Sequence, residues 1–202
     1  MYHPAAESVI EFYRRHAIEW DRIRQRRFPE RGWFERFSGG LSPGGELLDL
    51  GCGSGNPLGG YFIKQGYRIT GIDTSEPLLR LCRARYRDHD WQLGDMRDLA
   101  LGRRFHGIIA WDSFFHLTPR EQRQMLPRFK AHVLPGAMLI FNSGPEEGEV
   151  VGDFLGDPLY HASLSAHEYQ TLLSQNGFTL VDFVVNDADC GGRTVWLARY
   201  GD

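Results

Sequence analysis

LLDLGCGSG, residues 47–55, runs from an apolar stretch into Asp49 and then places glycine at positions 51, 53 and 55. The apolar run reads as a short buried strand. Glycine at alternate positions lets the chain turn tightly after that strand and lets its backbone approach a ligand closely. Pro57 suits the first turn of a following helix, whose N-terminus offers free N–H groups. Strand, glycine turn and helix open a parallel α/β sheet. In such sheets ligands bind beyond the carboxyl ends of the strands, where strand order reverses.

The pattern continues outwards from this stretch. Strands are predicted at 46–50, 67–72, 90–93, 105–111, 136–142, 178–185 and 193–200, with helices near 56–65, 75–86, 119–131 and 165–176. Their alternation predicts an α/β fold: a Rossmann-like three-layer sandwich with right-handed crossovers. FTLVDFVV and RTVWLARY are separated only by NDADCGG, residues 186–192. A parallel pair needs a crossover of roughly a dozen residues or more, so the seven-stranded, mostly parallel sheet ends in a reversed last strand.

Before Gly39 the chain reads as helical, with a break near FPERG. Over 8–27, Tyr13, His16, Trp20, Ile23 and Arg27 share one face, and Glu11, Arg15, Glu19, Arg22 and Arg26 share the other. SGGLSPGG, 38–45, is a joint. One domain is therefore expected over 1–202, with 1–38 a helical lid and 45–200 the core.

Composition removes several functions. A net charge of -3 gives no global attraction to nucleic acid. The apolar runs fall short of the roughly 20 residues that span a bilayer. The N-terminus lacks the apolar centre of a signal peptide, so a cytoplasmic protein with no membrane partner is expected. Cys52, Cys82 and Cys190 are odd in number and widely spaced, which suits neither a disulfide framework nor a metal site. Oligomeric state is not legible.

Three ligands compete for the glycine turn. A nucleoside triphosphate wants Lys and Ser/Thr after the last glycine, but Tyr61 and Phe62 stand there. A dinucleotide wants a third glycine where Asn56 stands. The third candidate has a nucleoside and an amino-acid tail. Asp73 ends YRITGID, 22 residues after Gly51, where a carboxylate accepts from both ribose hydroxyls. The plainer alternative is that Asp73 caps the next helix, a task Thr74 or Ser75 also suits. Asp95 ends WQLGDM, where a carboxylate and an adjacent N–H can read adenine. Alone, Gly-Asp is a turn.

Together these residues resemble the class I S-adenosylmethionine-dependent methyltransferases. DLGCGSG resembles the family's acidic glycine loop, with Asp49 as the acid. GIDTS resembles its ribose-binding stretch, and GDM its adenine-binding stretch. FHGIIAWDSFFHL is similar to its fourth strand and following loop, and VLPGAMLIF to the turn into the fifth. The resemblance spans about 45–200. It implies S-adenosylmethionine as cofactor, with backbone at Gly51, Cys52 and Gly53 against the methionine part. It places Asp73 and Thr74 at the ribose, Asp95 and Met96 at the adenine, and Trp111 and Asp112 beside the sulfonium. Tyr13 and Trp20 close over the cofactor or pack the lid.

The acceptor is expected to be a small molecule, since WDSF stands where the family's Asn-Pro-Pro-Tyr-type stretch would. His116 is the candidate base, with a backbone-bonded histidine as the alternative. Tyr160 and His161, in the 152–164 loop, are candidate acceptor contacts or packed loop residues. Asp187 and Asp189 belong to a solvated turn or recognise a cation. The arginines of 14–31 recruit an acidic molecule or form a solvated face. Two rival functions stay open: a module that binds S-adenosylmethionine without catalysis, and a short nicotinamide oxidoreductase.

Overall fold

The computed structural model describes residues 4–25 and 28–201. The first half forms α1 (Pro4–Arg15), α2 (Ala17–Arg24), α3 (Arg31–Gly39), β1 (Glu46–Leu50), α4 (Leu58–Lys64), β2 (Arg68–Asp73), α5 (Glu76–Arg85) and β3 (Asp90–Leu93). The second half forms β4 (Phe105–Ala110), α6 (Pro119–Ala131), β5 (Val133–Ser143), β6 (Gly148–Phe154), β7 (Asp157–Ser163), α7 (Ala166–Gln175), β8 (Phe178–Asp187) and β9 (Arg193–Tyr200).

Seven strands form one sheet in the order β3-β2-β1-β4-β5-β9-β8. β1 to β5 pair in parallel, and β9 runs antiparallel to both neighbours. The reversed last strand is therefore as expected. Strand order reverses between β1 and β4. Pairing of Leu50 with Ile72, Asp73 with Leu93 and Asp49 with Ile109 brings the carboxyl ends of β1 to β4 to one edge. No helix among the described residues is long and apolar enough to cross a membrane.

Helices cover both faces, so the central strands are apolar on both sides. Side chains alternate along a strand. Ile108, Leu139, Phe141 and Trp196 thus join Leu126, Phe129 and Tyr169 in one core. Ile109, Ile140 and Val195 join Phe34, Phe37, Phe62 and Leu79 in the other.

Two expectations change here. The helix expected over 8–27 breaks at His16 (φ -96°, ψ 14°) into α1 and α2, and Arg26 and Arg27 lie outside the described residues. α3 is not lid: Trp33, Phe34 and Phe37 are buried in the second core. Of these three helices, α1 and α2 supply residues at the carboxyl edge of the sheet.

The stretch 152–164, expected as a loop, lies mostly in a hairpin of β6 and β7. Leu155 and Gly156, at φ 57° and 85°, form its two-residue turn. Positive φ at both positions matches the twist of a tight hairpin. Leucine is an unusual residue for the first position, which hid the turn. The hairpin packs on α1: Phe12 meets Phe154, and His16 Nε2 lies 2.7 Å from Asp157 Oδ2.

Candidate functional site

The glycine turn is held from three sides. Gly51 has φ 75°, and a Cβ there would lie 2.3 Å from Ser113 Cβ. Ser113 Oγ donates to the carbonyl of Leu50, so the stretch after β4 rests directly on the turn. The Gly53 N–H donates to Asp73 Oδ2 and the Ser75 N–H to Asp73 Oδ1, both at 2.8 Å. Asp73 therefore braces the turn and the start of α5 together. Burial raises its carboxyl pKa, and the N–H groups of Ser75, Gly53 and Thr74 oppose that rise.

Between this edge and α1 and α2 lies a cavity. Tyr13, Trp20, Asp49, Gly51, Cys52, Gly53, Asp73, Thr74, Asp95, Met96, Trp111, Asp112 and His116 all line it. Side chains from four strand ends and the lid thus converge, as the strand-end spacing in the sequence suggested. Asn56, which stands where a dinucleotide site wants glycine, accepts at Oδ1 from Tyr86 Oη at 2.5 Å.

Asp49 is the least compensated group. It is 2% exposed, and among the described residues its carboxylate accepts no hydrogen bond. Burial, then the nearby Asp73, pushes its pKa up to about 7, while Arg24 lowers it.

Asp95 and Asp112 are satisfied instead. Asp95 accepts from the backbone and guanidinium of Arg97; Arg97 Nη1 donates to Glu121 at 3.0 Å, and Glu121 closes the capping box of α6 with Thr118. Burial opposes the charge of Asp95, but Arg97 outweighs it and holds the carboxyl below its ordinary range. Asp112 (φ 49°) takes two hydrogen bonds from Arg193, at 2.8 and 2.9 Å, and one from Asn142. Burial opposes its charge too; Arg193, with Arg24 and Asn142, holds its pKa low.

His116 is committed on both nitrogens. Nδ1 lies 2.7 Å from the Tyr160 carbonyl and so must donate. Nε2 lies 2.8 Å from the Tyr13 hydroxyl and so accepts. Burial lowers the pKa of His116 to about 4, despite opposing contributions from the Tyr160 carbonyl and Asp112. Burial, Asp112 and Asp73 raise that of Tyr13, which keeps the hydroxyl a donor. As placed, His116 has no free nitrogen for an acceptor, and the backbone-bonded alternative describes it.

Tyr160 does not reach the cavity: its ring is buried and its hydroxyl donates to Glu149 Oε2 at 2.5 Å. His161 lines a neighbouring cavity. Asp187 accepts from Trp33 Nε1 and from the Asp189 N–H, a turn rather than a cation site. Among the described residues no metal-binding cluster occurs, and all three cysteines are free and buried. Of the described arginines of 14–31, Arg15 pairs with Asp157, Arg22 with Glu19, Arg24 with Glu30 and Arg31 with Glu35, while Arg14 donates to the carbonyl of Thr74.

The sequence reading missed Arg24 and Arg97, which also line the cavity. Arg24 stands one helical turn beyond Trp20, a usable signal.

The family described as "Methyltransferase domain" matches residues 47–136. That stretch runs from β1 to the start of β5 and is similar to the methyltransferase domain family. It is 38% identical over 96 residues to a dTDP-3-amino-3,6-dideoxy-alpha-D-glucopyranose N,N-dimethyltransferase of Streptomyces fradiae, a match covering 46% of this chain and 37% of that protein. It is 26% identical over 155 residues to an O-methyltransferase of Pyrenophora dematioidea, covering 71% of this chain and 57% of that one. The chain thus spans little over a third of the first relative's length. By fold it is similar to the 1,6-didemethyltoxoflavin-N1-methyltransferase of Burkholderia thailandensis, with TM-score 0.77 and 19% identity, covering 100% of this chain and 92% of that one. An S-adenosylmethionine-dependent methyltransferase of Clostridium acetobutylicum ATCC 824 gives TM-score 0.72 at 15% identity, covering 95% and 100%.

Proposed function

We propose that this methyltransferase domain transfers a methyl group from S-adenosylmethionine to a small-molecule acceptor. Asp49 carries the reading. A buried carboxylate with no partner is costly until a cation meets it, and the α-ammonium of S-adenosylmethionine is such a cation. The glycine turn suits the same ligand: Gly53 lines the cavity, and a Cβ there would project to within 3.6 Å of Trp20 Nε1, into the gap between the turn and the lid. Asp73, already holding the turn, keeps lone pairs for the ribose hydroxyls beside Thr74. Met96 and the Asp95–Arg97 pair border the adenine.

When bound, the cofactor supplies a methyl carbon made electrophilic by the positive sulfur. The chain has to align an acceptor behind that carbon and exclude water. Orientation alone contributes about 7–11 kcal/mol in favourable cases. Tyr13 and Trp20 close the cavity from the lid, with ring centroids 5.3 Å apart. His116 acts by positioning Tyr13. Relatives named for an amino-sugar nucleotide and a toxoflavin precursor support a small molecule as acceptor.

The test is calorimetric binding of S-adenosylmethionine and S-adenosylhomocysteine, with NADH as control, to the wild type and to Asp73→Ala. Micromolar binding of both sulfur ligands, weakened at least tenfold in the variant, is the expected result. Tighter binding of NADH, or binding of neither sulfur ligand, overturns the reading.

A further inference from the structure

A second cavity, of about 540 Å3, opens on the far side of Asp112, which lines both. The two compartments therefore share a wall where β4 ends. Phe115, Glu146, Glu147, His161 and Arg193 line the second one.

At the junction stand two histidines with ring centroids 5.0 Å apart. His116 is bonded at both nitrogens. His161 makes no hydrogen bond to any described residue. It is half-buried, with the Phe115 ring 5.1 Å away. Burial lowers its pKa below the ordinary 6.5, with Asp112 opposing, so at neutral pH it presents an unshared lone pair.

The charges around this lone pair have one sign to spare. Arg193 is the one permanent cation in the lining among the described residues. Each of its three guanidinium nitrogens already donates, two to Asp112 and one to the carbonyl of Cys190, and the Asp112 carboxylate offsets its charge. Glu146 and Glu147 are exposed at the mouth, and among the described residues neither forms an ion pair. An anion entering here meets carboxylates and finds no free guanidinium. An amine meets carboxylates first and a lone pair deeper in.

We propose that this second cavity is the acceptor site, that it takes a small amine, and that His161 accepts a hydrogen bond from the amino group to be methylated. The proposal rests on the donor reading of the first cavity. It places the acceptor nitrogen at the wall shared with the donor compartment and the acceptor's apolar part against Phe115. His161 takes one proton from the ammonium and passes it to solvent; the freed nitrogen lone pair bonds the methyl carbon as the carbon–sulfur bond breaks with its electrons left on sulfur, so the product is a methylated ammonium and a neutral thioether.

The probes are phenethylamine and phenylacetate, which carry a similar ring and chain with opposite charge. Each is titrated into the full chain saturated with S-adenosylhomocysteine, and the His161 imidazole is followed by NMR, assigned by its loss in His161→Gln. The titratable and charged groups on the surrounding elements are His116, Tyr13, His16, Asp112, Arg193, Glu146, Glu147, Glu149 and Asp157. The readout is therefore the difference with and without probe at each pH. Phenethylamine is expected to move the His161 resonance and to lower its titration midpoint by at least one pH unit. Phenylacetate at equal concentration is expected to leave it in place. Glu146→Gln with Glu147→Gln, both exposed and so harmless to the fold, is expected to weaken phenethylamine at least fivefold. Equal or tighter binding of phenylacetate overturns the proposal, as does phenethylamine that leaves His161 unmoved while S-adenosylhomocysteine is bound. Failure of S-adenosylhomocysteine to bind, seen before any amine is added, overturns the donor reading and the proposal with it.

Discussion

The Tyr13 hydroxyl donates to Nε2 of His116 across 2.8 Å, and His116 donates from Nδ1 to the carbonyl of Tyr160 at 2.7 Å. One chain of hydrogen bonds thus joins α1, the turn after β4 and β7. Removing a buried partner strands the other: the cost is about 1–3 kcal/mol, more than the net worth of an ordinary hydrogen bond. Tyr13→Phe keeps the ring packing on Trp20 and leaves Nε2 without its donor. A loss of stability on the order of 1–3 kcal/mol in urea denaturation is expected, with weaker S-adenosylhomocysteine binding by calorimetry. An unchanged urea midpoint would show that the lid is not tethered through this bond.

The same histidine makes stability depend on pH. His116 titrates near 4 in the fold against an ordinary value of 6.5, so between those values the unfolded chain binds more protons. Its contribution is complete above about pH 6.5 and is lost as pH falls towards 4, on the order of 3 kcal/mol in all. Asp49 works the other way. Its raised pKa gives stability that is present below its ordinary 3.8 and lost as pH rises through about 7. The two offset each other in the wild type, so the variants carry the test. The stability of wild type minus that of His116→Gln should grow as pH goes from 4 to 6.5. Asp49→Asn should remove the opposing slope and leave a protein that gains stability across the same range. A difference that stays constant with pH would exclude a depressed His116.

Much of this was legible because strand-end chemistry is local. Asp49, Asp73 and Asp95 lie at or just beyond the carboxyl ends of β1, β2 and β3, and the parallel register carries all three to one edge without any further information. What was hidden depends on contacts distant in sequence. The sequence leaves His116 open between a candidate base and a backbone-bonded histidine, because the two partners that decide it lie 103 and 44 residues away. The hairpin at 148–163 was hidden by Leu155, a bulky residue at positive φ that no turn rule favours. Trp33, Phe34 and Phe37 looked like lid because they precede the first strand; only packing against Phe62 and Leu47 places them in the core.

Gly51 and Gly44 separate two costs of a side chain. Both have positive φ, 75° and 72°, but a Cβ at Gly51 meets Ser113 Cβ at 2.3 Å, whereas at Gly44 nothing lies within 4 Å. Gly44→Ala carries backbone strain alone, about 1–2 kcal/mol. Gly51→Ala adds overpacking, typically a further ~1–3 kcal/mol. It should also displace Ser113 from Leu50, and with it the wall of the cavity. Thermal denaturation should therefore rank Gly51→Ala well below Gly44→Ala, and only Gly51→Ala should lose S-adenosylhomocysteine binding. Equal effects of the two substitutions would mean that the turn yields without disturbing the site.

Asp49 lets donor binding be read through protons. Near pH 7 the carboxyl is close to its midpoint, raised by burial and by Asp73. A ligand ammonium brought beside it favours the charged form and lowers the pKa. Binding near pH 7 should then release a fraction of a proton, on the order of one half. Calorimetry in two buffers of different ionisation enthalpy measures that fraction directly. S-adenosylhomocysteine carries the ammonium without the sulfonium, so it should release protons as S-adenosylmethionine does if the ammonium is the group that Asp49 meets. If the sulfonium is the partner, only S-adenosylmethionine should. Asp49→Asn should abolish the release and weaken binding, while remaining folded, because asparagine fills the same space without a charge to bury. Binding with no proton exchange in the wild type would mean that Asp49 keeps its proton state throughout. The cation then sits elsewhere in the cavity, and the buried carboxyl must be explained without it.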